Sequence, residues 1–197
     1  MCAMPGGQCR RVRRDSLHPP MTPPALPDPP LTDGTVLLRA SEPRDAAAIE
    51  AGIHDPDVIR WIGPTQGSAT DVIARNRQRW ASGSSTLSIC ERDGTCVGLV
   101  WVKVREPDQT AGWIGYWLLP AARGRGLATR AVRLVSGWAL REMGVTVLRL
   151  TTEPENLRSR RVAEKSGFRQ IDLLHHQATI DGRLIDQVVY ELVPESE

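Results

Sequence analysis

Apolar residues recur at spacings of three and four over Leu127, Ala131, Leu134, Val135 and Trp138, with Arg130, Arg133 and Arg141 on the opposite side. That pattern is one buried stripe of an amphipathic helix, and Gly144 supplies its stop. Residues 113–119 before it form an apolar strand, and residues 145–151 after it are rich in β-branched side chains. Strand, turn, helix and strand make a crossover unit, which requires its two strands to run parallel. Upstream, residues 36–39 read as a first strand, and a helix starts at Pro43 with Asp45 in its first turn. A second helix spans 71–81, capped by Thr70 or Ser68. The pair Asp93-Gly94 joins strands 86–92 and 95–104 as a hairpin, and Asp181-Gly182 joins 169–179 to 184–193 in the same way. Asn156 caps a short helix through Lys165 that Gly167 ends. Helices and strands mix without internal repeats, so the fold class is α/β, a single domain with a mixed sheet.

Composition narrows the picture. Residues 1–30 hold eight prolines and the run Arg10-Arg11-Val12-Arg13-Arg14, and read as an extended, mobile Pro/Arg-rich tail ahead of a domain at 31–194. The tail lacks the apolar core of a secretory signal. Without residues 1–30, which carry four arginines and two aspartates, 21 basic and 21 acidic residues remain of the chain's 25 and 23. A neutral domain gives no electrostatic footprint for nucleic acid. No apolar run approaches the roughly 20 residues that span a bilayer, so no membrane partner is expected. Cys90 and Cys96 flank the Asp93-Gly94 turn. A two-residue loop sets Arg92 against Thr95 and Glu91 against Cys96, leaving Cys90 diagonal to Cys96 and a disulfide only with distortion. Reduced thiols, and a cytoplasmic location, follow from that reading.

The chemistry sits at Arg123-Gly124-Arg125-Gly126-Leu127-Ala128, between the apolar strand and the amphipathic helix. Helix-start N–H groups lack intrahelical partners and the helix dipole favours anions there, while glycines let a ligand's oxygens approach the main chain. A P-loop would need Gly-x-x-x-x-Gly-Lys-Ser/Thr, which is absent, and a dinucleotide fingerprint fails at Thr129, where a third glycine belongs. A turn that only joins a strand to a helix is the plain alternative.

Arg123-x-x-Gly126-x-Ala128 matches, at every fixed position, the Arg/Gln-x-x-Gly-x-Gly/Ala signature of the GNAT superfamily of acetyl-CoA-dependent N-acetyltransferases, which this chain resembles. The later Asn156-x-x-Ser159 and Glu164-Lys165-x-Gly167-Phe168 resemble that family's second segment, most closely in the branch of ribosomal-protein N-terminal acetyltransferases. The resemblance covers about residues 31–193 and implies acetyl transfer from acetyl-CoA to a primary amine, either a protein N-terminus or a small molecule, with no metal. It implies that Arg123, Gly124, Arg125, Gly126, Leu127 and Ala128 line the phosphates and that Leu118 and Leu119 meet pantetheine or polarise the thioester. It further implies that Asn156 anchors the coenzyme arm or an ordered water, and that Ser159 donates to the leaving thiolate. Members of this branch often pair, so a homodimer is compatible with it. Asn156 and Ser159 also read as nothing more than a helix cap and first turn.

No general base follows from the residues. His175, His176, Glu153 and Glu106 are candidates, each equally readable as a surface residue. Trp61 and Trp80, with Ile59 and Ile62, fall where the family borders its acceptor, and Asp55, Asp57 and Asp71 could attract a cationic amine. A non-catalytic acyl-CoA-binding module and a nucleotide-binding α/β domain remain as alternatives.

Overall fold

A computed structural model describes residues 26–80, 84–104, 110–180 and 182–194. Glu106, and the tail through residue 25, lie outside the described residues. The first strands are β1 (Leu31–Thr32) and β2 (Val36–Arg39), followed by a 3-10 turn (Pro43–Asp45) and three helices, α1 (Ala46–Ile53), α2 (Pro56–Ile62) and α3 (Ala69–Trp80). Then come β3 (Ser84–Glu91), β4 (Cys96–Val104) and β5 (Ala111–Leu118), a short turn, and α4 (Leu127–Glu142). The chain closes through β6 (Val147–Thr152), α5 (Leu157–Lys165), β7 (Arg169–Ile180) and β8 (Arg183–Leu192). All strands share one sheet in the order β1-β2-β3-β4-β5-β6-β8-β7, with β5 and β6 its parallel pair and the other pairings antiparallel.

Side-chain alternation divides the sheet between two apolar layers. Val100, Val102, Ile114, Leu118, Leu148 and Leu150 face α4, whose stripe of Leu127, Ala131, Val135 and Trp138 is buried as its period requires. Leu99 and Trp117 face the opposite way and pack with Ile49, Ile53, Val58, Val72 and Ile73 from α1, α2 and α3. Trp80, grouped in the sequence with the acceptor border, instead stacks on Trp138 with ring centroids 5.9 Å apart, beside the α4 layer.

Three local features depart from the sequence reading. The first is α2: Asp55 caps it by accepting the Val58 amide at 3.0 Å, with Pro56 at the first helical position. The second is the β3–β4 hairpin. Glu91 N–H bonds to Thr95 O and Gly94 takes φ +86, so residues 92–94 form a three-residue loop, and Arg92 lies in it rather than opposite Thr95. Cys90 consequently faces Cys96 directly, not diagonally; both are buried free thiols, and the register slips beyond them so that Val97 is the extra residue. The third is Asp45, which stands in the first turn as expected but is buried there. It is 2% exposed and accepts four hydrogen bonds, from two Arg39 nitrogens, the Glu42 amide and the Ser88 hydroxyl.

Candidate active site

The strands β5 and β6 stay paired from Ala111↔Val147 only to Ile114↔Leu150. Beyond that point β6 continues against β8 and β5 continues against β4, so residues 115–118 have no β6 neighbour. Leu119 N–H bonds to Val97 O on the β4 side. Backbone groups alternate along a strand, so the N–H and C=O of Tyr116 and Leu118 point into the gap. A cavity of about 1000 Å3 fills the gap, running from the glycine turn to α2 and the β7–β8 hairpin.

At one end stands the turn. Gly124 and Gly126 take φ +76 and +77, and a Cβ at either would meet nothing within 4 Å, so both present open main chain. The first bond of α4 runs from Arg130 N–H to Gly126 O at 3.2 Å, which leaves the N–H groups of Leu127, Ala128 and Thr129 without an intrahelical acceptor. Gly124, Gly126, Leu127, Ala128 and Leu118 all line the cavity. Two residues of the expected set do not. The Arg125 side chain pairs with Glu91 on the β3 end, and the Leu119 amide is already used by Val97.

Arg123 lines the cavity, but its guanidinium is occupied. Nε donates to Leu118 O at 2.9 Å, one terminal nitrogen to Asp57 at 2.7 Å and the other to Asp55 at 2.6 Å. Burial works against the charged form of Asp55, yet the Arg123 guanidinium and the Val58 amide outweigh it and hold the carboxyl below its ordinary value. Arg123 therefore ties the end of β5 to the start of α2, leaving its backbone, not its side chain, to face an anion.

Across the gap, Asn156 caps α5 by accepting the Ser159 amide at 3.1 Å, which leaves its NH2 group as the donor facing the cavity. Tyr116 donates to Ser159 Oγ at 3.3 Å, and burial pushes the phenol up to about 12, so it stays a donor at neutral pH. With one lone pair occupied in this way, the Ser159 proton is directed elsewhere. Sequence reasoning passes over Tyr116; its place two residues before Leu118, on the same strand face, is the available signal.

A model of the acetyltransferase (GNAT) domain matches residues 35–169. The chain belongs to the GNAT acetyltransferase family. A mycothiol acetyltransferase from Sanguibacter keddieii is 34% identical over 154 residues, 75% of this chain and 47% of that protein. A putative ribosomal N-acetyltransferase from Bacillus subtilis, YdaF, is 26% identical over 166 residues, 80% of this chain and 91% of that one. Among solved structures, Mycobacterium smegmatis RimJ in complex with CoA-disulfide superposes with a TM-score of 0.74 at 26% identity, covering 88% of each chain. The chain spans about half the length of the first curated relatives it matches.

In this GNAT domain the candidate bases fall in different places. His175 and His176 lie on the exposed β7 edge, where both contact Asp186, and neither lines the cavity. Glu153 does line it and is 7% exposed, but Arg60 grips it through bonds of 2.6 and 3.2 Å, with Arg183 3.8 Å away. Trp61 and Ile62 line the cavity, whereas Asp71 is spent on the Ser68 cap of α3. No group of three or more metal-ligating side chains occurs among the described residues.

Proposed function

We propose that this GNAT chain transfers the acetyl group of acetyl-CoA to a primary amine by direct attack on the thioester. The observation that carries the reading is the single cavity connecting the open amides of the 124–129 turn, the unpaired edge of β5 and the Tyr116–Ser159 pair. The turn amides and the α4 N-terminus bind the pyrophosphate. The N–H groups of Tyr116 and Leu118 and the C=O of Tyr116 pair with the amides of the pantetheine arm, as a strand would, while Leu118 O is held by Arg123 Nε. Ser159, oriented by Tyr116, donates its O–H to the departing thiolate, and Asn156 contributes its NH2 group beside it. Relatives bear the names of mycothiol and ribosomal acetyltransferases, which supports a small-molecule amine or a protein N-terminus as acceptor.

Calorimetric titration with acetyl-CoA, desulfo-CoA and NAD tests the coenzyme site. Micromolar binding of both coenzyme A compounds without NAD is the expected result; NAD binding alone would overturn the proposal. Ser159→Ala lowers kcat by about 100-fold, the usual worth of a positioned proton donor, with the acetyl-CoA Kd unchanged. Tyr116→Phe acts only through Ser159 and gives a smaller loss. Unaltered turnover in Ser159→Ala would remove that residue from the mechanism.

A further inference from the structure

A second cavity, of about 590 Å3, runs along the solvent side of α4. It shares Gly126, Thr129 and Lys165 with the first cavity, so the two meet at the glycine turn. The rest of its charged lining is Asp33, from the β1–β2 turn, and three α4 arginines, Arg130, Arg133 and Arg141. Asp33 is spent: it accepts the Thr35 and Val36 amides at 2.9 Å and a bond from Arg130 at 2.7 Å. Among the described residues, Arg133, Arg141 and Lys165 have no carboxylate partner. Arg133 donates instead to a neutral group, Lys165 O, from Nε at 3.1 Å and from one terminal nitrogen. Those bonds fix the guanidinium without cancelling its charge. Four cations against one carboxylate leave a surplus of positive charge in the groove.

The connectivity of coenzyme A leads into this groove. With the pyrophosphate on the turn amides, the pantetheine arm leaves into the gap between β5 and β6. The ribose then leaves on the α4 side, where the second cavity begins. That ribose carries a phosphate monoester on its 3′ oxygen, with a charge of about −1.5 to −2 at neutral pH. At 1.5 Å of rise per residue, Arg133 starts about 10 Å along the helix axis from Gly126, and Arg141 about 22 Å. Helical side chains lean toward the N-terminus, which carries the Arg133 guanidinium back toward the turn. Lys165, which lines both cavities, flanks the same place from the end of α5. Arg141 lies beyond the reach of one nucleoside.

We infer that the groove is a subsite for the ribose 3′-phosphate of acetyl-CoA, with Arg133 and Lys165 as its ligands, so that the chain selects coenzyme A over its 3′-dephospho form. The inference rests on the N-acetyltransferase reading and names the form of coenzyme that site takes. Arg133 is in place before the ligand arrives, because Lys165 O holds two of its nitrogens and leaves the other terminal nitrogen to donate to a phosphate oxygen. Prior fixing removes part of the ordering cost of binding. A phosphate monoester answers two cations at once, which a neutral ribose hydroxyl cannot do.

Calorimetry on the full chain compares acetyl-CoA with acetyl-dephospho-CoA at low and at high salt. Acetyl-CoA is expected to bind at least about tenfold more tightly at low salt, and the margin narrows at high salt because the contacts are exposed. The Lys165 side chain makes no bond among the described residues, so Lys165→Gln removes its charge without breaking a fold contact. In that variant the margin falls to about threefold through weaker acetyl-CoA binding, with the acetyl-dephospho-CoA Kd unchanged, and Lys165→Arg restores it. Arg141→Gln keeps the wild-type margin, a control for the general field of the helix face. Equal affinities in the wild type, a margin untouched by Lys165→Gln, or a margin lowered as far by Arg141→Gln would overturn the subsite. Binding of neither compound would instead remove the transferase reading beneath it.

Discussion

Gly126→Asp eliminates acetyl-CoA binding while the domain stays folded. A Cβ at residue 126 would meet nothing within 4 Å, so the substitution introduces no clash. The backbone sits at φ +77, where a non-glycine residue costs about 1–2 kcal/mol. Charge dominates: a carboxylate about 4 Å from a phosphate, at the effective dielectric of a protein surface, costs about 4 kcal/mol, close to a thousandfold in affinity. Gly126→Ala separates the two effects, because it carries the backbone strain without the charge. Calorimetry on both variants decides the matter, with a thermal melt to verify folding. Retained binding in Gly126→Asp would show that phosphate does not sit at this turn.

Asp45→Ala is expected to destabilise the domain strongly although Asp45 does not line the cavity. Asp45 and Arg39 are 2% and 7% exposed, and the carboxylate neutralises the guanidinium through bonds of 2.7 and 2.8 Å. Removing it leaves the buried guanidinium only Glu42, a part-exposed carboxylate 3.6 Å away, at a cost of about 3 kcal/mol, still a large share of the 5–15 kcal/mol that ordinary domains possess. A chain of this size would lose roughly 10 °C in Tm. The pair also sets the acid limit of the fold. Burial opposes ionisation of Asp45, but Arg39, the Glu42 amide and the Ser88 hydroxyl outweigh it and hold the carboxyl below its ordinary value. A depressed folded-state pKa gives stability that is complete above the unfolded value near 3.9 and is lost as pH falls through the folded one. Wild-type stability should therefore drop below about pH 4, and Asp45→Asn should flatten that drop. A denaturant series from pH 3 to 7 on both proteins measures it; equal slopes would remove Asp45 as the acid-labile group.

What can be read from the residues follows the reach of local chemistry. The α4 stripe, the two glycines at positive φ and the Asn156 cap are set by periodicity and backbone sterics within a few residues, so the crossover unit and the turn that opens the site are legible. Helix α2 is too short to display a period, and only Asp55-Pro56 announces it. Cys90 is misplaced when turn length is counted from Asp-Gly alone, because Glu91 and Thr95 close a longer loop. The partners of Arg123 and Glu153 lie 66 and 93 residues away in the chain, and no local pattern carries that information. The glycine-turn end of the cavity is thus mostly readable, being built from one turn and two helix starts. The other end is not, because five separate elements meet there.

The parting of β5 from β6 has a consequence for the solidity of the molecule. The half-sheet from β1 to β5 and the half-sheet from β6 to β8 share only the four residue pairs from Ala111↔Val147 to Ile114↔Leu150. A coenzyme arm bound in the gap, as proposed, would act as a keystone, extending a seam that the polypeptide leaves open. By mass action, a ligand bound there at about 100 times its Kd would stabilise the folded state by about 2.7 kcal/mol. Coenzyme would be, for this domain, a structural member as much as a reactant.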